Sequence, residues 1–409
     1  MHAKNIFFLS CFLVFLFCTC RADNKHGLVA NNYYSDTSVE TKSPNSDYKP
    51  AFKGQTRIDK VKTTTAYNVE KIAERLGPPF AIVGMPDGRL MVTIKSGYAE
   101  IHDANGKLIK KITGFPAVAF EGQGGLLDVA FDPDFANNKM IYWTFSETYA
   151  PGNLTAVAKG KLNEAEGKVE NPVVIFRATP ALKSGLHFGS RLVFDKDGNL
   201  FVSAGERSIL EGRAQAQKLE SHLGKIFKIT KDGKAAPGNP FLNTTGAMPE
   251  IYSYGHRNEQ GLDINPETGE LWEVEFGPRG GDELNIIHPG KNYGWPVITY
   301  GIEYSGEKIG DAIQQKTGME QPAYYWDPVI SPSGICFYKG NAIPEWKNNL
   351  FIAALSGMHI DRIVIKNNKV VGEERLLTNI NNRFRDVTYL NNMLFAITDG
   401  GDVYRISKK

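Results

Sequence analysis

The residues that could do chemistry are concentrated in four polar, glycine-rich stretches. They are Glu121-Gly-Gln-Gly-Gly-Leu-Leu-Asp128, Leu186-His-Phe-Gly-Ser-Arg191, Tyr252-Ser-Tyr-Gly-His-Arg-Asn-Glu-Gln-Gly261 and Glu275-Phe-Gly-Pro-Arg-Gly-Gly-Asp-Glu-Leu-Asn285. The last is followed closely by Gly290-Lys-Asn-Tyr-Gly-Trp-Pro296. A histidine such as His187 can move a proton near neutral pH. Arginine forks, such as those of Arg257, Arg383 and Arg385, suit carboxylates in bidentate fashion. Other patterns lead nowhere. Asp195, Asp197, Asn199 and Glu206 match the first, third, fifth and twelfth positions of a calcium-loop template, but Leu200 stands where that template needs glycine. The flanks read as strands, so a hairpin turn is expected there. Gly122, Gly124 and Gly125 are followed by no Lys-Ser/Thr pair, so no phosphate loop is expected. The chain has neither a Gly-x-Ser-x-Gly elbow nor a His-Glu-x-x-His motif, which leaves serine hydrolase and zinc protease without support.

Six segments must position these stretches, and they share one form. Phe80-AIVGMPDGRLMVTI, Leu127-DVAFDPDFANNKMIYWTF, Arg191-LVFDKDGNLFVSAG, Gly261-LDINPETGELWEVEF, Gly334-ICFYKGNAIPEWKNNLFIAAL and Asp386-VTYLNNMLFAITDG each run strand, turn, strand. Apolar residues alternate on both sides of each turn, the period-2 signature of hairpins. The segments recur every 45 to 80 residues or so, room for four strands and loops, which is the plan of a β-propeller. The expected fold is therefore all-β, a six-bladed propeller of four-stranded antiparallel blades in one domain over 56–409. Val69, Ile72, Ala73 and Leu76 also match a helical face, but a propeller makes them the outer strand of the first blade. The first three polar stretches each precede an innermost strand, so they should gather on one face around the axis.

Composition sets the class. The chain has 409 residues, with 47 Lys and Arg against 45 Asp and Glu, a formal net charge of +2, and so no electrostatic footprint for nucleic acid. With 42% hydrophobic and 22% charged residues, wholesale disorder is excluded. The 41 glycines, 23 phenylalanines and 17 tyrosines favour turns and strands over helices. At the N-terminus an apolar run, Ile6 to Phe17, follows Lys4 and is too short to span a membrane. It reads as a secretory signal over 1–22, cleaved after Ala22, with lipid anchoring at Cys20 as the alternative. A polar, flexible leader is expected over 23–55. Cys336 then remains as the lone thiol, so no disulfide framework holds the mature chain. The expected compartment is periplasmic or secreted.

Together with Glu303-Tyr-Ser-Gly306 and Asn382-Arg-Phe-Arg-Asp386, the four stretches resemble the soluble aldose sugar dehydrogenases of the glucose/sorbosone dehydrogenase family. Those are six-bladed propellers that use pyrroloquinoline quinone (PQQ) and calcium in the periplasm. The resemblance runs from about residue 60 to the C-terminus. It implies oxidation of an aldose at its anomeric carbon to a lactone, with hydride transfer to PQQ and His187 as general base. It also implies that Gln123, Arg257, Asn258, Tyr304, Arg383 and Arg385 contact PQQ. By the same resemblance Gly277 and Pro278 offer carbonyls to one calcium, and Glu283 and Tyr293 serve a second. One position departs: relatives commonly have Ala-Leu-Lys after the fifth blade's inner hairpin, and this chain has Ala354-Leu355-Ser356. The implied partners are a small sugar and an external electron acceptor, with monomer and dimer both open. Two alternatives stand beside this reading: a binding propeller that has lost PQQ, and a calcium-dependent lactonase.

Overall fold

The computed structural model of the chain describes residue 35 and residues 37–409. The expected signal segment and Cys20 lie outside these residues. Each of the six alternating segments folds into the inner hairpin of a blade. The third shows why: Leu192–Phe194 and Leu200–Ala204 pair across a turn that Asp195 holds by accepting the Asp197 and Asn199 N–H groups at 2.9 and 2.8 Å. Gly198 takes the left-handed conformation the turn requires, and Lys228 pairs with Asp195 at 2.8 Å. The calcium-loop pattern is thus a hairpin turn, as expected.

The strands form six four-stranded antiparallel sheets, in residue ranges 79–112, 126–177, 192–254, 259–326, 332–376 and, for the last, 384–408 joined by Tyr67–Ala73. This is a six-bladed β-propeller. The helices among the described residues are short: Phe135–Asn138, Leu210–Arg213 and the 3-10 turn Pro344–Trp346. Tyr67–Ala73 is an outer strand, but of the sixth blade rather than the first, with Val69 opposite Ile406. Pairing with the C-terminal strand closes the ring, a connection that sequence order hides.

Blades pack face to face through apolar clusters, one for each neighbouring pair. The first and second blades meet at Met91, Ile101, Trp143 and Phe145, and the fifth and sixth at Trp346, Phe351, Phe384 and Leu394. Around the axis, three buried aspartates on alternate blades clip neighbours together. Asp128, Asp263 and Asp386 each accept the next residue's N–H with one oxygen. Each uses the other oxygen to accept an N–H from the following blade, from Leu192 at 3.1 Å, Phe337 at 2.8 Å and Ile82 at 2.8 Å. Burial raises all three carboxyl pKa values, that of Asp128 to about 6. Arg191 offsets this for two of them, 3.7 Å from Asp128 and 3.2 Å from Asp386.

Part of the expected flexible leader packs on the propeller. Within 37–55, Asn45 and Ser46 donate N–H groups to Asp327 at 2.7 and 3.1 Å. Glu40 pairs with Arg375 at 2.9 Å, and Gln55 is fully buried.

Candidate active site

The loops that precede the inner strands converge at one end of the channel, as their place in the hairpins requires. They enclose a cleft of about 180 Å³, lined by Phe80, Lys95, Gln123, Phe276, Arg383 and Arg385 among others. The later halves of the same strands line a separate cavity of about 390 Å³ at the other end. Arg191 lines that second cavity and stacks on Phe80, 4.6 Å from the ring centre.

His187 sits beside the cleft, buried, in a left-handed conformation with φ of 48°. Backbone strain of this kind persists only where the surroundings over-determine it, and here they do. The His187 N–H donates to Gln123 Oε1 at 2.8 Å. Arg207, also buried, donates to the carbonyls of Leu186, Ser184 and Asn153 and stacks 3.9 Å from the Phe188 ring centre. His187 Nδ1 lies 2.6 Å from Glu206 Oε1. The two residues meet because one lies just ahead of the third blade's inner hairpin and the other just past its second strand. A Cβ on Gly205 would stand 2.6 Å from the His187 carbonyl, and one on Gly189 would stand 2.7 Å from the Gly205 nitrogen, so this crossing requires glycine. Burial, then the Arg257 charge, push the His187 pKa down to about 4 in spite of Glu206. The imidazole is therefore neutral at pH 7, with Nδ1–H donating to the carboxylate and Nε2 free to accept a proton.

Four of the six cofactor residues implied by the sequence line two adjoining spaces. Gln123, Arg383 and Arg385 line the cleft. Asp399 orients both arginines, accepting from Arg383 Nε at 2.9 Å and Arg385 Nε at 2.7 Å. Although burial opposes it, the two guanidinium groups hold the Asp399 carboxyl below its ordinary range. Arg257 instead lines a neighbouring cavity of about 10 Å³ with Gly277, Pro278, Glu283 and Tyr293. Phe276 borders both spaces. Arg257 Nη1 donates to the Gly277 carbonyl at 2.8 Å. Asn258 is buried, accepting the Gly189 N–H at 3.0 Å. Tyr304 is 70% exposed and lines neither space.

The four metal residues implied by the sequence thus share one cavity of ion-like size. Its turn is held by Asp282, which accepts the Gly277 N–H at 2.8 Å and the Ile330 and Ser331 N–H groups at 2.8 and 2.7 Å. Burial raises Asp282 to about 7. Glu283 is not alone. In the fourth blade Glu259, Glu275 and Glu283 stand directly opposite one another across three strands, and Glu273 stands opposite Asn285. Like charges placed so repel one another. Burial, then the Glu275 charge, raise the pKa of Glu259, Glu273 and Glu283 well above the carboxylate range. Both oxygens of Glu259, one of Glu273 and Asn285 Oδ1 are buried and find no hydrogen-bond partner among the described residues. His256, Glu273 and Glu275 place ligand atoms within 4.8 Å of one another. A set of buried oxygen donors this rich in unpartnered atoms fits a hard cation.

Sequence reasoning assigned no site role to Glu206, Lys95, His256, Glu273 or Glu275. Glu206 had a usable signal: in an antiparallel hairpin, the residues just before the first strand lie beside those just after the second.

With this geometry, a family model described as Glucose / Sorbosone dehydrogenase matches residues 76–405. The chain belongs to the glucose/sorbosone dehydrogenase family. One relative, the aldose sugar dehydrogenase YliI of Escherichia coli strain K12, is 40% identical over 348 residues, covering 84% of this chain and 93% of its own. Quinoprotein glucose dehydrogenase B of Acinetobacter calcoaceticus is 26% identical over 414 residues, covering 81% and 85%. The solved PQQ-bound aldose sugar dehydrogenase of Streptomyces coelicolor is 29% identical with a TM-score of 0.69, covering 85% of this chain and 99% of that one. These glucose/sorbosone dehydrogenase relatives support a sugar oxidoreductase activity for this chain.

Proposed function

We propose that this protein is a PQQ-dependent aldose dehydrogenase that oxidises the anomeric carbon of a sugar to a lactone. The observation that carries the reading is His187, held through Nδ1 by Glu206 beside a cleft lined by Lys95, Arg383 and Arg385. PQQ is planar and carries three carboxylates. Phe80, Phe188, Phe276 and Leu355 give the cleft apolar walls, and Lys95, Arg383 and Arg385 give it positive charge. Arg257 Nε and Asn258 Nδ2 are buried donors with no acceptor among the described residues, which suits a cofactor rich in oxygens. PQQ held by these residues would supply the acceptor for the hydride that leaves C1.

The chain's own residues handle the proton. Glu206 fixes the tautomer that leaves Nε2 as the base, and Nε2 takes the proton of the anomeric hydroxyl. Gln123 and Arg207 hold the His187 loop in its strained form, so the base is in place before the sugar arrives. Calcium is proposed for the cavity of Gly277, Pro278, Glu283 and Tyr293, where it would polarise a cofactor carbonyl and offset the fourth-blade glutamates. Export is proposed from the signal over 1–22, which places the activity in the periplasm or outside the cell.

The test is dye reduction by purified protein supplied with PQQ, calcium and a panel of aldoses. Saturable turnover that depends on PQQ supports the reading. No turnover on any aldose at saturating PQQ would sink it.

A further inference from the structure

We propose that Lys95 anchors a carboxylate of the bound cofactor, so that the first blade supplies a cation that the fifth blade lacks. This rests on the PQQ reading above. Lys95 directly follows the strand Leu90–Ile94. Its backbone is fixed on both sides: its N–H donates to the Pro78 carbonyl at 2.9 Å, and its carbonyl accepts the Leu126 N–H at 2.9 Å. Gly125 passes so close that a Cβ there would stand 2.2 Å from the Lys95 carbonyl. The ammonium is therefore carried on an immobile base.

Asp399 attracts the Lys95 ammonium only at a distance, and the Phe120 ring centre lies 5.8 Å away. Lys95 Nζ donates to the Gly122 carbonyl at 2.9 Å, and among the described residues it forms no ion pair. Arg383 and Arg385 differ in this respect, because both are held by Asp399. The fifth blade offers the cleft Leu355, and Ser356 Oγ is engaged with Ser331 Oγ at 2.8 Å. Burial, then the Arg385 charge, lower the Lys95 pKa, a penalty that an incoming anion removes. The Lys95 contact is also one step from the base. Gly122 adjoins Gln123, whose side chain accepts the His187 N–H. A carboxylate on Lys95 would thus register the cofactor against the His187 loop.

The experiment uses the full chain with calcium and titrates PQQ by tryptophan quenching at several salt concentrations, for wild type, Lys95→Gln, Lys95→Met and Lys95→Arg. Thermal melting without PQQ checks that each variant folds. Loss of a hydrogen bond to a charged group corresponds to a Kd raised roughly 10- to 100-fold for the Gln and Met variants. The salt dependence should flatten with the lost charge, and Arg should recover most of the affinity. A folded Gln or Met variant that binds PQQ within about twofold of wild type would overturn the role of Lys95 and leave the PQQ reading intact. A wild type with no saturable binding overturns both.

Discussion

Glu206 reaches His187 from the far end of the same hairpin and meets its Nδ1 at 2.6 Å. That makes it a positioning residue: it touches the base and leaves the reacting atoms to His187. General-base catalysis contributes about 10²- to 10⁴-fold. Glu206→Gln, which favours the wrong tautomer, should lower kcat by about 10²-fold or more. PQQ affinity should be unchanged and the acid limb of the pH profile should shift. A purely structural role would instead lower the melting temperature with kcat and its pH profile intact.

The His187 pKa sets where activity fails in acid. With that pKa near 4, below the ordinary 6.5 or so of histidine, the acid limb of kcat/KM should fall well below pH 6. Stability follows the same sign. Between the two values the unfolded chain binds a proton that the folded chain does not, so stability is lost as pH falls from about 6.5 towards 4. His187→Asn should remove this part of the pH dependence, as read by denaturant unfolding at pH 4.5 and 7.

The two cleft arginines should differ in weight. The Arg385 side chain is 16% exposed and that of Arg383 is 47% exposed, so screening by water favours Arg385. Arg385→Ala should raise the PQQ Kd by about tenfold or more and Arg383→Ala by less. Equal losses would contradict the ranking.

Calcium removal should destabilise the fourth blade. A ligand at 100 times its Kd stabilises by about 2.7 kcal/mol, so chelation should lower the melting temperature measurably. Glu283→Gln should shrink that calcium-dependent shift and, in chelated protein, raise the melting temperature by relieving repulsion. A shift unaltered by Glu283→Gln would place calcium elsewhere.

The axial clips should carry global stability. Asp386 joins the sixth blade to the first through Ile82 and pairs with Arg191. Removing one partner of a buried pair costs about 3–5 kcal/mol. Asp386→Ala should lose that much in denaturant unfolding, without a change in the acid limb assigned to His187.

The inner hairpins were legible because alternation reports a strand whichever neighbours it later meets. The same rule gives no sign of the buried carboxylates at Glu273 and Glu275. These alternate with Trp272 and Val274, and a period-2 reading sends the glutamates to solvent. In a ring of blades both faces of a sheet are covered, so the glutamates face the third blade and are buried. Glu206 was hidden for another reason: its role depends on which loop ends meet, and spacing along the chain does not record that. Lys95 was hidden because it ends an ordinary strand, and the cleft beside it is built from loops distant in sequence. The strand Tyr67–Ala73 was expected in the first blade because pairing with the C-terminal strand leaves no local mark on it.

That closure has a consequence for the order of events. Until Val403–Lys408 emerges, a chain leaving the ribosome or an export channel carries a sheet with one raw edge. Arg383 and Arg385 belong to this last blade, so the anion-binding wall comes into being only as the ring shuts. If the chain takes up PQQ as proposed, uptake would follow ring closure and would not template folding. A chain stopped after Leu377 should be open to proteases and take up no PQQ.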